Sequence, residues 1–125
     1  VINPDFWPGF PWDQIRTTYD VWLPMSYWSF RTEEHADPRY YTAENIRLLR
    51  ENLGDGSAVV HGIGGVGAAD GTDMPDPGEP LAVLNDLEGF LVGLEEAGAV
   101  GGSIYDWVTT GPEARQRLAE AFSGS

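Results

Sequence analysis

VWLPMSYWSF, residues 21–30, opens like a strand and closes unlike one. Val21, Trp22 and Leu23 follow Asp20 and read as buried β-structure. Pro24 removes a ladder donor, which places it in the last turn of that strand. Met25, Ser26, Tyr27, Trp28 and Phe30 then pass before the first charge, Arg31. Chain leaving a strand usually turns polar. Here it carries large rings, and Tyr and Trp each bring a polar edge that needs a partner if buried. Such rings belong at the mouth of a sheet.

The rest of the chain repeats the pattern. Val1–Ile2 reads as the tail of a strand, and Trp12–Thr18 as a short helix. After the strand at Val21–Met25 comes a polar loop, Arg31–Tyr40, with Asp37–Pro38 as a turn signal. Thr42–Leu53 reads as a helix capped by Thr42, striped by Ile46, Leu49 and Leu53, and stopped by Gly54. Ala58–Ile63 is a second strand, followed by a loop rich in Gly, Asp and Pro over Gly64–Pro80. Leu81–Ala97 is a helix striped by Leu84, Leu87, Leu91 and Leu94. Ala99–Tyr105 is a third strand. Pro112–Phe122 is a final helix, with Pro at its start and Leu118 and Phe122 facing inward.

Strand–helix units in this order imply a parallel sheet covered by helices. The long loops follow the strands and the short ones follow the helices, as in barrels and open α/β sheets with a site at the strand C-termini. A (β/α)8 barrel takes about 250 residues, and this chain has 125. The expectation is therefore one α/β unit over residues 1–125, the C-terminal half of a TIM barrel, completed by the other half or by a second copy. The alternative is a small open flavodoxin-like sheet. A chain that begins at Val1 and not at Met is expected to be processed or cut from something longer.

Charge narrows the partners. Twenty acidic residues face seven basic ones, all Arg, for a net charge of −13. That disfavours nucleic acid and anionic membranes, which need clustered Lys or Arg. No apolar run is long enough to span a bilayer. With no Cys there is neither disulfide nor thiolate ligand. The two histidines, His35 and His61, are far apart in sequence, so no zinc site is expected. No cofactor is expected either.

Three strand ends deliver rings and acids to one rim: Asp5, Phe6 and Trp7; Tyr27 and Trp28; and Tyr105, Asp106 and Trp107. Flat apolar faces with polar edges suit a sugar, whose ring faces present C–H groups and whose edges present hydroxyls. Met25-Ser26-Tyr27 resembles the M-x-Y that ends the sixth strand of chitinase-like TIM-barrel glycoside hydrolases. Gly101-Gly102-Ser103-Ile104-Tyr105-Asp106-Trp107 resembles their eighth strand, G-G-x-M-x-W, with Trp107 one position late. The chain is also similar to uncharacterised actinobacterial-type secreted glycosidase-like barrels with LPM-x-Y-W and G-G-S-x-Y-D-W strands. The resemblance implies that Tyr27 contacts substrate, that Trp107 floors the central subsite, and that the protein is secreted or at the cell surface. The acid motif of the chitinases, D-x-x-D-x-D-x-E, is absent.

On this reading the partner is an oligosaccharide or polysaccharide. Tyr27, Trp28, Tyr105, Trp107, His61 and Asp5 are the candidate binding residues, and Asp106, desolvated between two rings, is the candidate catalytic carboxyl. The acidic run Asp70, Asp73, Asp76 and Glu79 misses the calcium-loop spacing and reads as solvated. Gly62, Gly64, Gly65 and Gly67 lack the helix and the basic residue of a phosphate site. They read as freeing the backbone where it leaves the strand. A non-catalytic glycan-binding barrel and a stand-alone interaction domain are the rival functions.

Overall fold

The computed structural model describes residues 1–66, 84–107 and 110–123. The acidic run at residues 70–79, Gly67 and the start expected for the helix at Leu81 lie outside the described residues.

The first helices are α1, Trp12–Ile15, and α2, Pro38–Leu53. The turn signal Asp37–Pro38 proves to be the start of α2. The Asp37 side chain accepts from the Tyr40 N–H at 2.8 Å, and Pro38 fills the first helical position. Thr42, the expected cap, lies inside the helix and is fully buried with Tyr41, Asn45, Ile46, Leu49 and Leu53. The apolar stripe extends one turn further back than the cap rule allowed. Gly54 ends the helix at φ 64, the left-handed conformation that favours Gly. The polar stretch before it holds 3-10 turns at Trp28–Phe30 and Glu33–Ala36. Val1–Ile2 is not a strand; the N-terminus instead forms a 3-10 turn at Pro4–Phe6.

The strands are β1, Val21–Trp22; β2, Met25–Ser26; β3, Val59–Val66; and β4, Gly101–Tyr105. Every described pairing is parallel. β1 and β2 share one register against β3, Val21↔Val59 through Ser26↔Gly64, so they form one line broken at Leu23–Pro24. Pro24 thus interrupts the strand without ending it. Its missing N–H costs a ladder bond, but its carbonyl still accepts from the Ile63 N–H at 3.0 Å. β4 lies on the other side of β3, pairing His61↔Gly101. The sheet is small and open, and the strand lines follow chain order.

The connecting helices cover one face only. α3, Leu84–Glu96, packs against α2 through two glycines. A Cβ at Gly93 would sit 2.7 Å from the Arg39 carbonyl, and one at Gly89 would sit 2.7 Å from the Pro38 ring. α4, Pro112–Phe122, packs beside α3, with Leu118 and Phe122 partly buried against the core. Along the strands the two faces alternate. Ser26, Val60, Gly62 and Gly64 are buried beneath the helices. Val21, Leu23, Met25, Val59 and Tyr105, on the opposite face, are exposed. No described element covers that second face.

The glycines of GIGG have a packing role that the sequence reading missed. A Cβ on Gly62 would meet Leu94 at 2.4 Å, and one on Gly102 would meet it at 2.3 Å. One on Gly64 would lie 3.0 Å from the Phe90 ring. The sheet therefore offers bare backbone where α3 presses Phe90 and Leu94 onto it.

The strand starts are tied by Arg50, near the end of α2. Its guanidinium donates to the carbonyls of Ala58 at 3.2 Å, Ala97 at 2.5 Å and Gly98 at 3.2 Å. These carbonyls lead into β3 and β4. Arg50→Ala is expected to cost about 2–3 kcal/mol by urea denaturation, the worth of a charge-assisted hydrogen bond set on part-buried carbonyls. Arg50→Lys should recover only part, because an ammonium cannot reach three carbonyls as a planar fork does. A loss below about 0.5 kcal/mol, the size of an ordinary surface substitution, would show the clamp to be idle.

Candidate functional site

The parallel strands end at Ser26, Val66 and Tyr105, and Tyr27, just past the first end, and Tyr105, at the last, carry rings on the uncovered face. Tyr27 and Tyr105 come from strand lines on either side of β3, yet their ring centroids are 6.1 Å apart with planes at 48°. Continuing the pair Ser26↔Gly64 by one residue sets Gly65 level with Tyr27. With no side chain between them, the two rings lean together over β3. Burial, and then the neighbouring Tyr105, push the Tyr27 phenol above its ordinary value of 10.0. It therefore stays protonated through the neutral range, able to donate and accept.

Beyond Tyr105 the chain turns sharply; the Tyr105–Asp106 peptide is cis. The Asp106 carbonyl accepts from the buried Thr110 hydroxyl. Asp106 is half-buried. The N-cap position of α4 is Gly111. Trp107 is 71% exposed, and the Arg115 guanidinium stacks on its ring at 3.9 Å from the centroid.

The other sequence candidates are dispersed. Trp28 is 1% exposed and belongs to the core, 5.6 Å from Phe90 by ring centroids. Its indole N–H donates to Asp86 at 3.1 Å, which satisfies the polar edge inside. It is corrected from a rim residue to a packing residue. Two residues on from buried Ser26, Trp28 falls on the same helix-covered face, against Phe90 of α3. Asp86, which holds it, had no sequence signal beyond its place in the first turn of α3.

His61 lies on the uncovered face below the tyrosines, with Nε2 3.2 Å from the Ser103 hydroxyl across two strands. Asp5 is exposed in the N-terminal turn, where Asn3 accepts from its backbone N–H. The neighbouring groove, about 370 Å³, is walled by Phe6, Trp7, Phe10 and Trp12 and closed by Asn52 near the end of α2. Neither Tyr27 nor Tyr105 lines that groove.

No protein-family model matches the chain, nor does any curated protein or solved structure.

A larger groove of about 680 Å³ runs along the outer surface of α2, away from the rings. Its Arg47 is engaged by Glu44 and Glu51, and Arg39 nearby pairs with Glu96. Those charges serve the helix surface. Among the described residues no three His, Asp or Glu side chains converge as a metal site would require. No described helix is long and apolar enough to cross a membrane.

The uncovered face thus has an apolar lower part, Val21, Leu23, Met25, Val59 and Ile63, one polar pair, His61 and Ser103, and an aromatic upper end. Chemically, the upper end can stack and hydrogen-bond an uncharged ring. Hydrolysis of a glycosidic bond takes two carboxyls flanking it. At this end Asp106 is the carboxyl that follows a strand, and Asp86 is engaged by Trp28.

Proposed function

We propose that this chain is the carbohydrate-binding half of a (β/α)8 barrel, secreted or at the cell surface, with its uncovered sheet face turned to the barrel interior. The observation that carries the reading is the Tyr27–Tyr105 pair, which leans together at the strand C-termini on a face that no described helix covers. Three features support the half-barrel. The strand lines follow chain order, both crossover helices lie on one face, and each outer line pairs only with β3 among the described residues. A doubly wound sheet would place helices on both faces. A parallel sheet with one bare apolar face gains most from closing on itself.

In this reading Tyr27, Tyr105 and Trp107 stack the sugar, and Asp106 positions a hydroxyl or assists an acid supplied by the other half. The test is calorimetric titration with a panel of chito-, cello- and xylo-oligosaccharides. Tyr27→Ala and Tyr105→Ala are each expected to weaken the best-bound member about 10–100-fold, as aromatic hot spots do, with the melting temperature little changed. If both variants mainly lose fold stability, the rings are packing residues and the sugar site is refuted.

A further inference from the structure

Trp107 combines exposure with a fixed geometry. Its ring is 71% exposed, yet Arg115 holds it twice. The guanidinium carbon lies 3.9 Å from the ring centroid, and Nη2 donates to the Trp107 carbonyl at 2.7 Å. Arg115 sits in the first turn of α4, where its own N–H bonds the Gly111 carbonyl at 2.9 Å. That helix is seated by Ala114, 1% exposed, and tied to α3 by the Arg117–Glu88 pair. The clamp is thus rigid at its base.

We infer that Arg115 is a positioning residue that turns Trp107 into a one-sided stacking platform. The guanidinium occupies one ring face and leaves the other to solvent. A flat ligand must therefore stack on the far face, in an orientation set before it arrives. Because the side chain is already ordered, the ligand does not bear the cost of immobilising it. A lysine would keep the charge but not the planar contact with the ring. This inference rests on the glycan reading of the same rim.

The experiment labels the chain with 5-fluorotryptophan and follows its five Trp signals by fluorine NMR. Loss of one signal in Trp107→Phe assigns that residue. In the wild type the Trp107 line should be as broad as that of buried Trp28. In Arg115→Ala it should narrow, with the melting temperature held. The same variant should bind the best-bound oligosaccharide of the panel about three- to tenfold more weakly, the size of a cation–π contact expressed as affinity. Arg115→Lys should recover only part of both effects. A Trp107 signal unchanged in Arg115→Ala overturns the clamp, and so does unchanged affinity with a loosened ring. If the wild type binds no member of the panel while Arg115→Ala still frees the ring, the clamp stands and the glycan reading fails.

Discussion

Phe90→Ala is expected to cost about 4–5 kcal/mol and to leave much of the chain unfolded at room temperature. The ring is 0% exposed and fills the centre of the core. One face meets Trp28 at a centroid distance of 5.6 Å, and the rest lies on Gly62, Gly64 and Gly102. Most large-to-small core changes are softened by neighbouring side chains moving into the void. Here the floor of the void would be backbone, because the three residues beneath the ring have no side chains. Backbone within a hydrogen-bonded parallel sheet cannot collapse inward, so the loss falls at the upper end of the usual range. No described element covers the sheet's other face, which leaves little reserve. Urea denaturation followed by fluorescence measures the loss, with Trp28 as a reporter in the same core. Gly102→Ala probes the contact from the other side. Its Cβ would lie 2.3 Å from Leu94, so overpacking of about 1–3 kcal/mol is expected. A Phe90→Ala loss near 1 kcal/mol would mean that α3 does not press on the sheet as described.

The order of strands and helices was legible because hydrophobic period and turn residues are local signals. The runs at Val21, Val59 and Gly101 are strands, and the stripes over residues 42–53 and 84–96 are helical. What was not legible depends on contacts between distant segments. Phe90 stands out in no local pattern, and its importance comes from glycines 26 and 28 residues earlier and 12 later. Thr42 has the chemistry of a cap, and Asp37 was read only as a turn. Burial of the Tyr41 turn decided between them. The rim was partly readable. Tyr27, Tyr105 and Trp107 are exposed or half-exposed at strand ends as expected, whereas Trp28, one residue from Tyr27, turns inward. A strand alternates sides at each residue, and that alternation, which the sequence reading did not apply past Pro24, puts Trp28 with Ser26 on the helix-covered face and Tyr27 with Met25 on the other. The Trp107–Arg115 contact joins two elements across a loop, and no spacing rule announces it.

Met25→Asp is expected to have opposite consequences in the isolated chain and in a closed barrel. Met25 is 62% exposed on the uncovered face, beside Leu23 and across the register from Ile63. In the chain of residues 1–125 that position already meets water. The aspartate should therefore shift stability only by the fraction of a kcal/mol typical of a surface strand site, about 0.5 or less. Its larger effect is on association. The face combines aliphatic side chains with two outer strand lines that pair only with β3 among the described residues, and an open edge can template further pairing. The wild-type chain should bind 8-anilinonaphthalene-1-sulfonate and sediment as a concentration-dependent mixture, and Met25→Asp should bind little dye and sediment as a monomer. In a closed barrel the same carboxylate would be enclosed among aliphatic side chains with no cation nearby, at a cost of several kcal/mol. The isolated chain thus reports whether the face is waiting for a cover or already has one. Destabilisation of the isolated chain by about 3 kcal/mol or more, the cost of an unpaired buried charge, would place Met25 in a core and remove the case for closure. A dye-silent, monodisperse wild-type chain would remove it independently. Closure also governs the rim. With the face open, Tyr27 and Tyr105 form a shallow shelf; opposed by strands from the other half, they become one wall of a cleft, and only a cleft can flank a sugar on both sides.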